Sequence, residues 1–197
     1  MDRVSVGRMG QIITKVTDDF YRITEVFPDE VLHKVQSAFC YVGDWKREPN
    51  IQGVRLASST IDGNLTVEIQ DSLGEVKKFI ESHINKKTHW NGPVLWHDES
   101  GYINACHKDQ SENLSINIQV YMTEGDEVQG TFYENNGEWF SVPYQMNTGY
   151  IMFNPTQHEH GMKHPSTAYR QSLYTSLRTT EELKPFTNSH YWEEEKN

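Results

Sequence analysis

Two segments in the second half of the chain alternate between apolar and polar residues, which is the pattern of strands with one buried face. From 114 to 122 every second residue is apolar, and the residues between them are Ser115, Asn117, Gln119 and Tyr121. Near the end of the chain a second polar face carries Arg170, Ser172, Tyr174 and Ser176. Polar faces with a single Arg predict a barrel or sandwich whose inner wall lines a wet pocket. The alternative is that these faces are exposed to solvent.

Two amphipathic helices are predicted in the first half. One begins after Pro28, has Asp29 and Glu30 in its first turn, and continues with an apolar stripe. The other spans 73–84, where apolar residues recur at helical spacing and charged residues lie between them. The stretch from 47 to 63 is polar and rich in turn residues. We expect the helices to cover one face of a sheet.

From about Pro93 onward the pattern changes to short strands separated by turn residues such as Asn135-Asn136-Gly137. The fold class is therefore mainly β with supporting helices. A length of 197 residues fits one domain. We divide this domain into an N-terminal α/β support region (1–93), a β core (94–178) and a C-terminal tail (179–197).

Charge, hydropathy and cysteine content limit the partners and the location that we expect for the protein. The formal net charge is −10 and no basic stretch compensates it, so nucleic acid is disfavoured. We expect no signal peptide and no membrane span, because no apolar run approaches the roughly 18 residues that a span needs. Two cysteines are too few for a disulfide framework, so we expect a cytoplasmic protein with reduced thiols. The sequence leaves the oligomeric state open.

A first candidate for chemistry is His107-Lys108-Asp109, which follows a strand predicted over 102–106. Residues i and i+2 of a strand point to the same side, so the imidazole and the carboxylate can bind one metal ion while Lys108 points away. The motif alone is weak, because a chain with nine histidines can contain such a pair by chance. Its alternative is a surface turn.

The rest of the pattern strengthens the metal hypothesis. About fifty residues later come His158-Glu159-His160-Gly161-Met162, directly after a strand predicted over 150–153, and Arg170-Gln171-Ser172 follows His160 by ten residues. Two histidines and one carboxylate on one face of an octahedral ion leave three positions for a bidentate oxoacid and dioxygen. Neutral imidazole and carboxylate suit Fe(II).

Here the sequence resembles the Fe(II)- and 2-oxoglutarate-dependent oxygenases, in their prolyl-hydroxylase-like branch. The family pattern is His-x-Asp, a distal His about fifty residues on, and Arg-x-Ser about ten further, and the resemblance covers about residues 94–178. The segments GTFYENNGEW and HGMKHPSTAYRQSLYTSL also look like that branch. The resemblance implies a double-stranded β-helix, a jelly-roll or cupin-like barrel with N-terminal helices on one sheet. It also implies Fe(II), 2-oxoglutarate as cosubstrate, and O2.

The resemblance implies that His107, Asp109 and His160 are the iron ligands. The family's distal histidine is usually followed by Gly and an aliphatic residue, as His160 is. His158 is the alternative for the third ligand or an assisting group, and His164 is expected to be a loop residue.

The resemblance also implies a cosubstrate site. Arg170 would anchor the distal carboxylate of 2-oxoglutarate, because a guanidinium fork matches a carboxylate with two charge-assisted hydrogen bonds. Ser172 and Tyr121 would add hydrogen bonds to the same carboxylate. The alternative for Arg170 is a surface ion pair.

The implied reaction is hydroxylation of an unactivated C–H bond, coupled to oxidative decarboxylation of 2-oxoglutarate to succinate. A prolyl or other peptidyl residue is the first expectation for the substrate, and a small molecule is the alternative. A nucleic-acid demethylase of this superfamily would carry a second Arg six residues after Arg170, where this chain has Ser176. The rivals from other classes are a cupin-type metalloenzyme without 2-oxoglutarate and a non-enzymatic jelly-roll binding module.

Overall fold

The computed structural model describes residues 3–5, 10–48, 52–109 and 115–179. Leu114, which begins the first alternating segment, and the predicted tail from 180 onward lie outside these residues.

The helices of the described ranges are α1 (Asp29–Tyr41), α2 (Gly63–Ser72) and α3 (Gly74–Ile84). Helix α1 follows Pro28 and has acidic residues in its first turn, as predicted. Helix α3 confirms the second predicted helix. Helix α2 was not predicted, because Ile69 is its only fully buried apolar residue among those described and its helical pattern is correspondingly weak. Its start is fixed by Asp62, whose carboxylate accepts hydrogen bonds from two backbone N–H groups of the first turn.

The described ranges contain twelve strands. They are β1 (Arg3–Ser5), β2 (Ile12–Lys15), β3 (Phe20–Thr24), β4 (Lys46–Arg47), β5 (Arg55–Ser58), β6 (Thr88–Asp98), β7 (Ser115–Tyr121), β8 (Thr131–Asn135), β9 (Glu138–Val142), β10 (Thr148–Met152), β11 (His160–Gly161) and β12 (Arg170–Thr179). Within the described ranges, a large sheet has the order β1-β2-β3-β10-β7-β12-β6-β5-β4, and a small sheet has the order β11-β8-β9. All the named strand pairs are antiparallel.

The main hydrophobic core lies between the helices and one face of the large sheet. Leu32 and Val35 of α1 and Ile80 of α3 pack in one buried cluster with the apolar side of β7 and β12. The apolar side of β7 consists of Ile116, Ile118 and Val120, and Met122 continues it. The alternation read from the sequence therefore identified the core face correctly. The prediction of a mainly β fold with helices packed on one sheet is confirmed.

A second, smaller buried cluster lies on the opposite face, and it is largely aromatic. Its members come from both sheets and the turn after β9, and are Phe20, Tyr121, Tyr133, Val142, Tyr144, Tyr150 and Met152. Phe20 of the large sheet stacks on Tyr133 of the small sheet with ring centroids 4.6 Å apart. The two sheets are thus held face to face, and the polar side chains of β7 and β12 lie on the side of the small sheet.

Two sequence expectations need revision. The strand predicted over 102–106 is an irregular segment that makes only isolated bridges. The turn-rich stretch from 47 to 63 contains β5, whose four residues pair with β6. Strand β6 begins at Thr88, so the proposed boundary between 93 and 94 falls inside a strand. The division into support region and core remains a prediction.

None of the helices in the described ranges is long and apolar enough to cross a membrane.

Gly149 provides a test of how tightly the centre of the large sheet is packed. It lies in β10 opposite Val120 of β7, and a Cβ at this position would overlap the carbonyl oxygen of Gln119. Gly149→Ala should therefore lower the free energy of unfolding by about 1–3 kcal/mol or more, as overpacking in a core does. Chemical denaturation of both proteins measures this difference.

Gly92→Ala is the matched control, because Gly92 also lies in a central strand but has open space around the added carbon. It should change the free energy of unfolding by less than about 0.5 kcal/mol. Equal effects of the two substitutions would contradict the close approach of β10 to β7.

Candidate metal centre

The structure brings His107, Asp109 and His160 together. Their ligand atoms all lie within 4.8 Å of one another. Nε2 of His107 is 3.4 Å and Nε2 of His160 is 3.3 Å from the same carboxylate oxygen, Oδ1 of Asp109. Ligands about 2.1 Å from an octahedral ion lie about 3 Å apart at adjacent positions, so these distances suit one shared metal ion.

Backbone pairing places the two histidines. The N–H of His107 donates to the carbonyl of His160 and the N–H of His160 donates to the carbonyl of His107, both at 2.9 Å. This bridge joins the irregular segment before Asp109 to β11. Gly161 permits it, because its φ is +148° and a Cβ there would lie 2.7 Å from the carbonyl oxygen of Asn104.

The ring orientation of both histidines is fixed by backbone carbonyls. Nδ1 of His107 is 2.8 Å from the carbonyl oxygen of Ala105, and Nδ1 of His160 is 3.2 Å from that of His158. Because a carbonyl can only accept, Nδ1 carries the proton in each ring, and in the neutral ring Nε2 is left with its lone pair. Both Nε2 atoms face Asp109, which is the orientation that metal binding requires.

Asp109 is held so that only one oxygen faces the histidines. Its Oδ2 accepts a hydrogen bond of 2.9 Å from the side-chain amide of Asn117, and the amide oxygen of Asn117 accepts one of 2.9 Å from the hydroxyl of Tyr174. This relay leaves Oδ1 free for a metal. One carboxylate oxygen and two imidazoles would then occupy three positions of the ion.

Electrostatics favour the charged carboxylate. Burial by itself raises the pKa of Asp109, but hydrogen bonds from His107 and His160 and the charge of His160 outweigh it and hold the pKa well below its usual range. The contact with Asp109 raises the pKa of His107 against the opposing effect of burial. A negative carboxylate thus faces the Nε2 atoms of two imidazoles, and a divalent cation can bind all three groups when the rings are neutral.

The three residues line a cavity of about 170 Å³ between the two sheets. Arg170 lines the same cavity, as do Asn117, Gln119 and Tyr174 from the polar face of β7 and β12. The polar faces are therefore the wall of a pocket and not a solvent-exposed surface. This volume suits a small organic molecule.

Arg170 is buried, with 2% of its surface exposed. Its Nη1 donates to Sδ of Met162 at 2.6 Å and lies 3.6 Å from Oδ2 of Asp98, while its Nε has no hydrogen-bond partner among the described residues. The guanidinium lies 4.6 Å above the ring of Tyr144. A buried guanidinium with a weak sulfur acceptor and an unsatisfied N–H is suited to an anionic ligand. The alternative of a surface ion pair is wrong.

Tyr121 and Ser172 do not line the cavity. The hydroxyl of Tyr121 donates to Oγ1 of Thr131 and accepts from the backbone N–H of Thr131. The hydroxyl of Ser172 accepts from the amide of Gln119 at 2.8 Å. The structure therefore gives both hydroxyls partners within the protein, and their contacts to a cosubstrate remain predictions.

The other two histidines of the distal segment lie apart from the triad. Nε2 of His158 is 3.3 Å from Oδ2 of Asp19, and its Nδ1 is 3.2 Å from the carbonyl oxygen of Glu134. His164 is exposed, with its ring edge toward Phe132. The geometry thus favours His160 as the third ligand.

Sequence reasoning missed several residues of the cavity. Arg55, Glu48 and Trp96 line it from strands or loops of the first half. The sequence pattern places Asn117 on a polar strand face but does not indicate its contact with Asp109. The cross-strand register of β5, β6 and β12, which brings Arg55 to the site, is not visible in local sequence patterns. An Arg in a short apolar context, Val54-Arg55-Leu56-Ala57, was the only available signal.

Substitution of each candidate histidine should show which of the two, His160 or His158, binds the metal. His160→Ala should lose bound Fe(II) after anaerobic loading and desalting, because it removes one of three ligands. His158→Ala should retain near-stoichiometric iron, since its ring faces Asp19. Iron content per protein is measured by colorimetric chelation, with circular dichroism to show that both variants are folded. Iron retained by His160→Ala and lost by His158→Ala would reverse the assignment.

The relay behind Asp109 should affect metal affinity. Asn117→Ala frees the second carboxylate oxygen and should weaken Fe(II) or Mn(II) binding about 10–100-fold, as loss of a group that orients a ligand does. Tyr174→Phe, which removes only the outer link, should have a smaller effect in the same direction. Titration with Mn(II), monitored by electron paramagnetic resonance, measures the metal affinity of both variants. Unchanged affinity in Asn117→Ala would show that the relay does not position Asp109.

The chain matches no family model and no curated protein. It resembles solved structures in fold over most of its length, but the sequence identity to them is low. A prolyl-4-hydroxylase from Pseudomonas putida superposes with a TM-score of 0.67 at 11% identity, over 82% of this chain and 93% of that one. A prolyl hydroxylase from Trichoplax adhaerens, in complex with a peptide of hypoxia inducible factor, gives 0.63 at 12% identity over 83% and 84%.

HygX from Streptomyces hygroscopicus, with nickel, 2-oxoglutarate and hygromycin B bound, gives a TM-score of 0.64 at 11% identity over 83% of this chain and 84% of that one. These similarities confirm the fold that the sequence resemblance implied. The protein therefore has the double-stranded β-helix fold shared by prolyl hydroxylases and the 2-oxoglutarate-binding HygX.

Proposed function

We propose that the protein is an Fe(II)- and 2-oxoglutarate-dependent dioxygenase. It hydroxylates an unactivated C–H bond and couples this to oxidative decarboxylation of 2-oxoglutarate to succinate. The observation that carries the proposal is one cavity lined both by the triad of His107, Asp109 and His160 and by the buried, poorly paired Arg170. A metal site alone or a buried Arg alone would not distinguish this function from others.

His107, Asp109 and His160 hold the iron. Their donor set is the two-histidine, one-carboxylate arrangement that leaves open positions on Fe(II) in non-haem oxygenases. When bound, ferrous iron supplies the oxidative chemistry, with O2 as the oxidant and 2-oxoglutarate as the co-substrate that is oxidised. The protein contributes fixed Nε2 atoms on the two rings and a single carboxylate oxygen, so that the remaining positions stay available.

Arg170 holds the distal carboxylate of 2-oxoglutarate. Its burial makes a charge-assisted hydrogen bond stronger than it would be in water, and its unsatisfied Nε–H gains an acceptor when the carboxylate binds. A cupin-type metalloenzyme or a binding module without 2-oxoglutarate has no need of such a group beside the triad.

The side chains of the cavity wall hold one another in place. Trp96 and Tyr174 stack with ring centroids 4.5 Å apart, and Tyr150 donates to the amide oxygen of Gln119 at 2.7 Å. All four residues line the cavity. A wall fixed in this way can hold a substrate in one position beside the metal.

The substrate is a prolyl or other peptidyl residue, with a small molecule as the alternative. Both classes occur among the similar structures, because one is in complex with a peptide and another holds hygromycin B. The net charge of −10 disfavours nucleic acid. A cytoplasmic location is consistent with two free thiols, Cys40 and Cys106.

Anaerobic addition of Fe(II) and then 2-oxoglutarate tests the cosubstrate. We expect the weak visible charge-transfer band of a keto acid chelated to ferrous iron, because its two oxygens take two of the open positions. Absorption spectroscopy measures it in folded, iron-loaded protein. Absence of the band under these conditions would contradict the proposed function and leave the cupin-type alternative.

Arg170→Met tests the anchor. The variant should keep its iron but bind 2-oxoglutarate about a hundredfold more weakly, since two charge-assisted hydrogen bonds are lost. Arg178→Met is the matched control: Arg178 lies on the same strand but is not among the residues that line the cavity, so cosubstrate affinity should be unchanged. Normal 2-oxoglutarate affinity in Arg170→Met would show that another group binds the carboxylate.

A further inference from the structure

Arg55, Asp98 and Arg170 form one row across three adjacent strands. In the sheet register Asp98 of β6 lies opposite Arg55 of β5 on one side and opposite Arg170 of β12 on the other. All three side chains are buried, with 4%, 1% and 2% of their surfaces exposed. One carboxylate thus lies between two guanidinium groups at the wall of the cavity.

Arg55 donates one hydrogen bond to each carboxylate oxygen of Asp98. Its Nε donates to Oδ1 at 2.6 Å and its Nη2 donates to Oδ2 at 3.0 Å, which is the two-bond fork of a strong Arg–carboxylate pair. Trp96 and Tyr102 hold the guanidinium of Arg55 in place, with their ring centroids 4.1 and 4.4 Å from its central carbon. The pair is therefore fixed in geometry as well as in charge.

Arg170 interacts more weakly than Arg55 with the carboxylate of Asp98. Its Nη1 lies 3.6 Å from Oδ2 of Asp98, which is beyond hydrogen-bond distance, and that oxygen already accepts from Arg55. Glu48 is a second carboxyl group on the side of Arg55, 3.8 Å from its Nη1. Among the described residues, Arg170 therefore has no carboxylate within hydrogen-bond distance, whereas Arg55 has two hydrogen bonds to Asp98.

We propose that Arg55 sets the anion affinity of Arg170 by holding Asp98 away from it. Without Arg55 the carboxylate of Asp98 would be a buried charge whose remaining cationic neighbour in the row is Arg170, and an unpaired buried charge is costly. Asp98 would then compete with any carboxylate ligand for the same guanidinium. Arg55 is a positioning residue, which acts on the ligand through Asp98 and Arg170. That the ligand is 2-oxoglutarate rests on the proposed function, whereas the pairing within the row does not.

The first experiment measures 2-oxoglutarate binding to Mn(II)-loaded protein by isothermal titration calorimetry. Arg55→Met should weaken binding about tenfold or more, which corresponds to the loss of one charge-assisted hydrogen bond to the ligand. Asp98→Asn should tighten binding, because it removes the competing charge in a side chain of the same shape. The double variant, Arg55→Met with Asp98→Asn, should recover most of the affinity lost in Arg55→Met.

Because Arg55→Met should weaken binding and Asp98→Asn should tighten it, the two variants distinguish a positioning role from a purely structural one. If Arg55 and Asp98 only stabilise the sheet, both single substitutions weaken binding, and that result would overturn the proposal. Lys34→Met is the control for net charge, because it removes one cation from an exposed ion pair with Glu68 and should leave binding unchanged. Weakening by Lys34→Met equal to that of Arg55→Met would also overturn it.

A second measurement needs neither metal nor 2-oxoglutarate. In protein labelled with 15N at arginine Nε, the Arg170 Nε–H resonance should shift in Arg55→Met, because Asp98 moves to it, and should return in the double variant. An unshifted resonance would refute the transfer of Asp98. If the wild-type protein failed to bind 2-oxoglutarate, the proposed function would fail, and this spectrum would still decide the pairing.

Discussion

The reciprocal backbone pairing of His107 and His160 is the interaction on which the candidate site depends. The segment before Asp109 is not part of either sheet, so two hydrogen bonds of 2.9 Å provide its link to β11 at the candidate metal ligands. This link sets both rings at once, because each Nδ1 then meets a carbonyl two residues earlier in its own chain segment. A backbone bridge does not depend on which side chain is present. The ligands can therefore be replaced without removing the element that positions them.

The two faces of the large sheet have different roles: one packs in the hydrophobic core and the other lines the cavity. The apolar side of β7 packs against α1 and α3, and its burial stabilises the sheet. The polar side holds Asn117 and Gln119 in hydrogen bonds with side chains of β10 and β12. Each buried amide on this wall has partners within the protein, whereas the guanidinium of Arg170 is left underpaired. In the described part of the wall, the hydrogen-bond donor without a partner thus belongs to a cation. An anionic ligand can accept a hydrogen bond from it and also neutralise its charge.

Local pattern was sufficient for part of this arrangement. Strand alternation identified the core face of β7, and the same-side rule for residues i and i+2 brought His107 and Asp109 together although their segment is not a regular strand. The family resemblance placed Arg170 beside the triad, and in the structure it lines the same cavity. The resemblance supplied the fold, and the similar structures confirm it. Tyr121 shows the limit of this reasoning, since a face can be predicted from alternation but the partner of a hydroxyl on that face cannot.

Arg55 could not be found in this way. It lies in a stretch that reads as turns, and its partner Asp98 is brought to it by strand pairing over 43 residues of sequence. The choice among several possible cross-strand partners depends on the whole sheet. Helix α2 was missed for a related reason, because it buries little apolar surface of its own and depends on packing against its neighbours.

The order of strands in the large sheet also has a consequence for how the protein folds. In the sheet order β3-β10-β7-β12-β6, no two neighbouring strands are consecutive along the chain. Each of these strand pairings therefore closes a long loop. Proteins with such non-local pairing fold slowly, because chain entropy is lost before the contacts that offset it are made. Asp109 and His160 are separated by β7, β8, β9 and β10. The three candidate ligands therefore come together only after the β core has formed, and we expect high-affinity metal binding to appear no earlier than this step of folding.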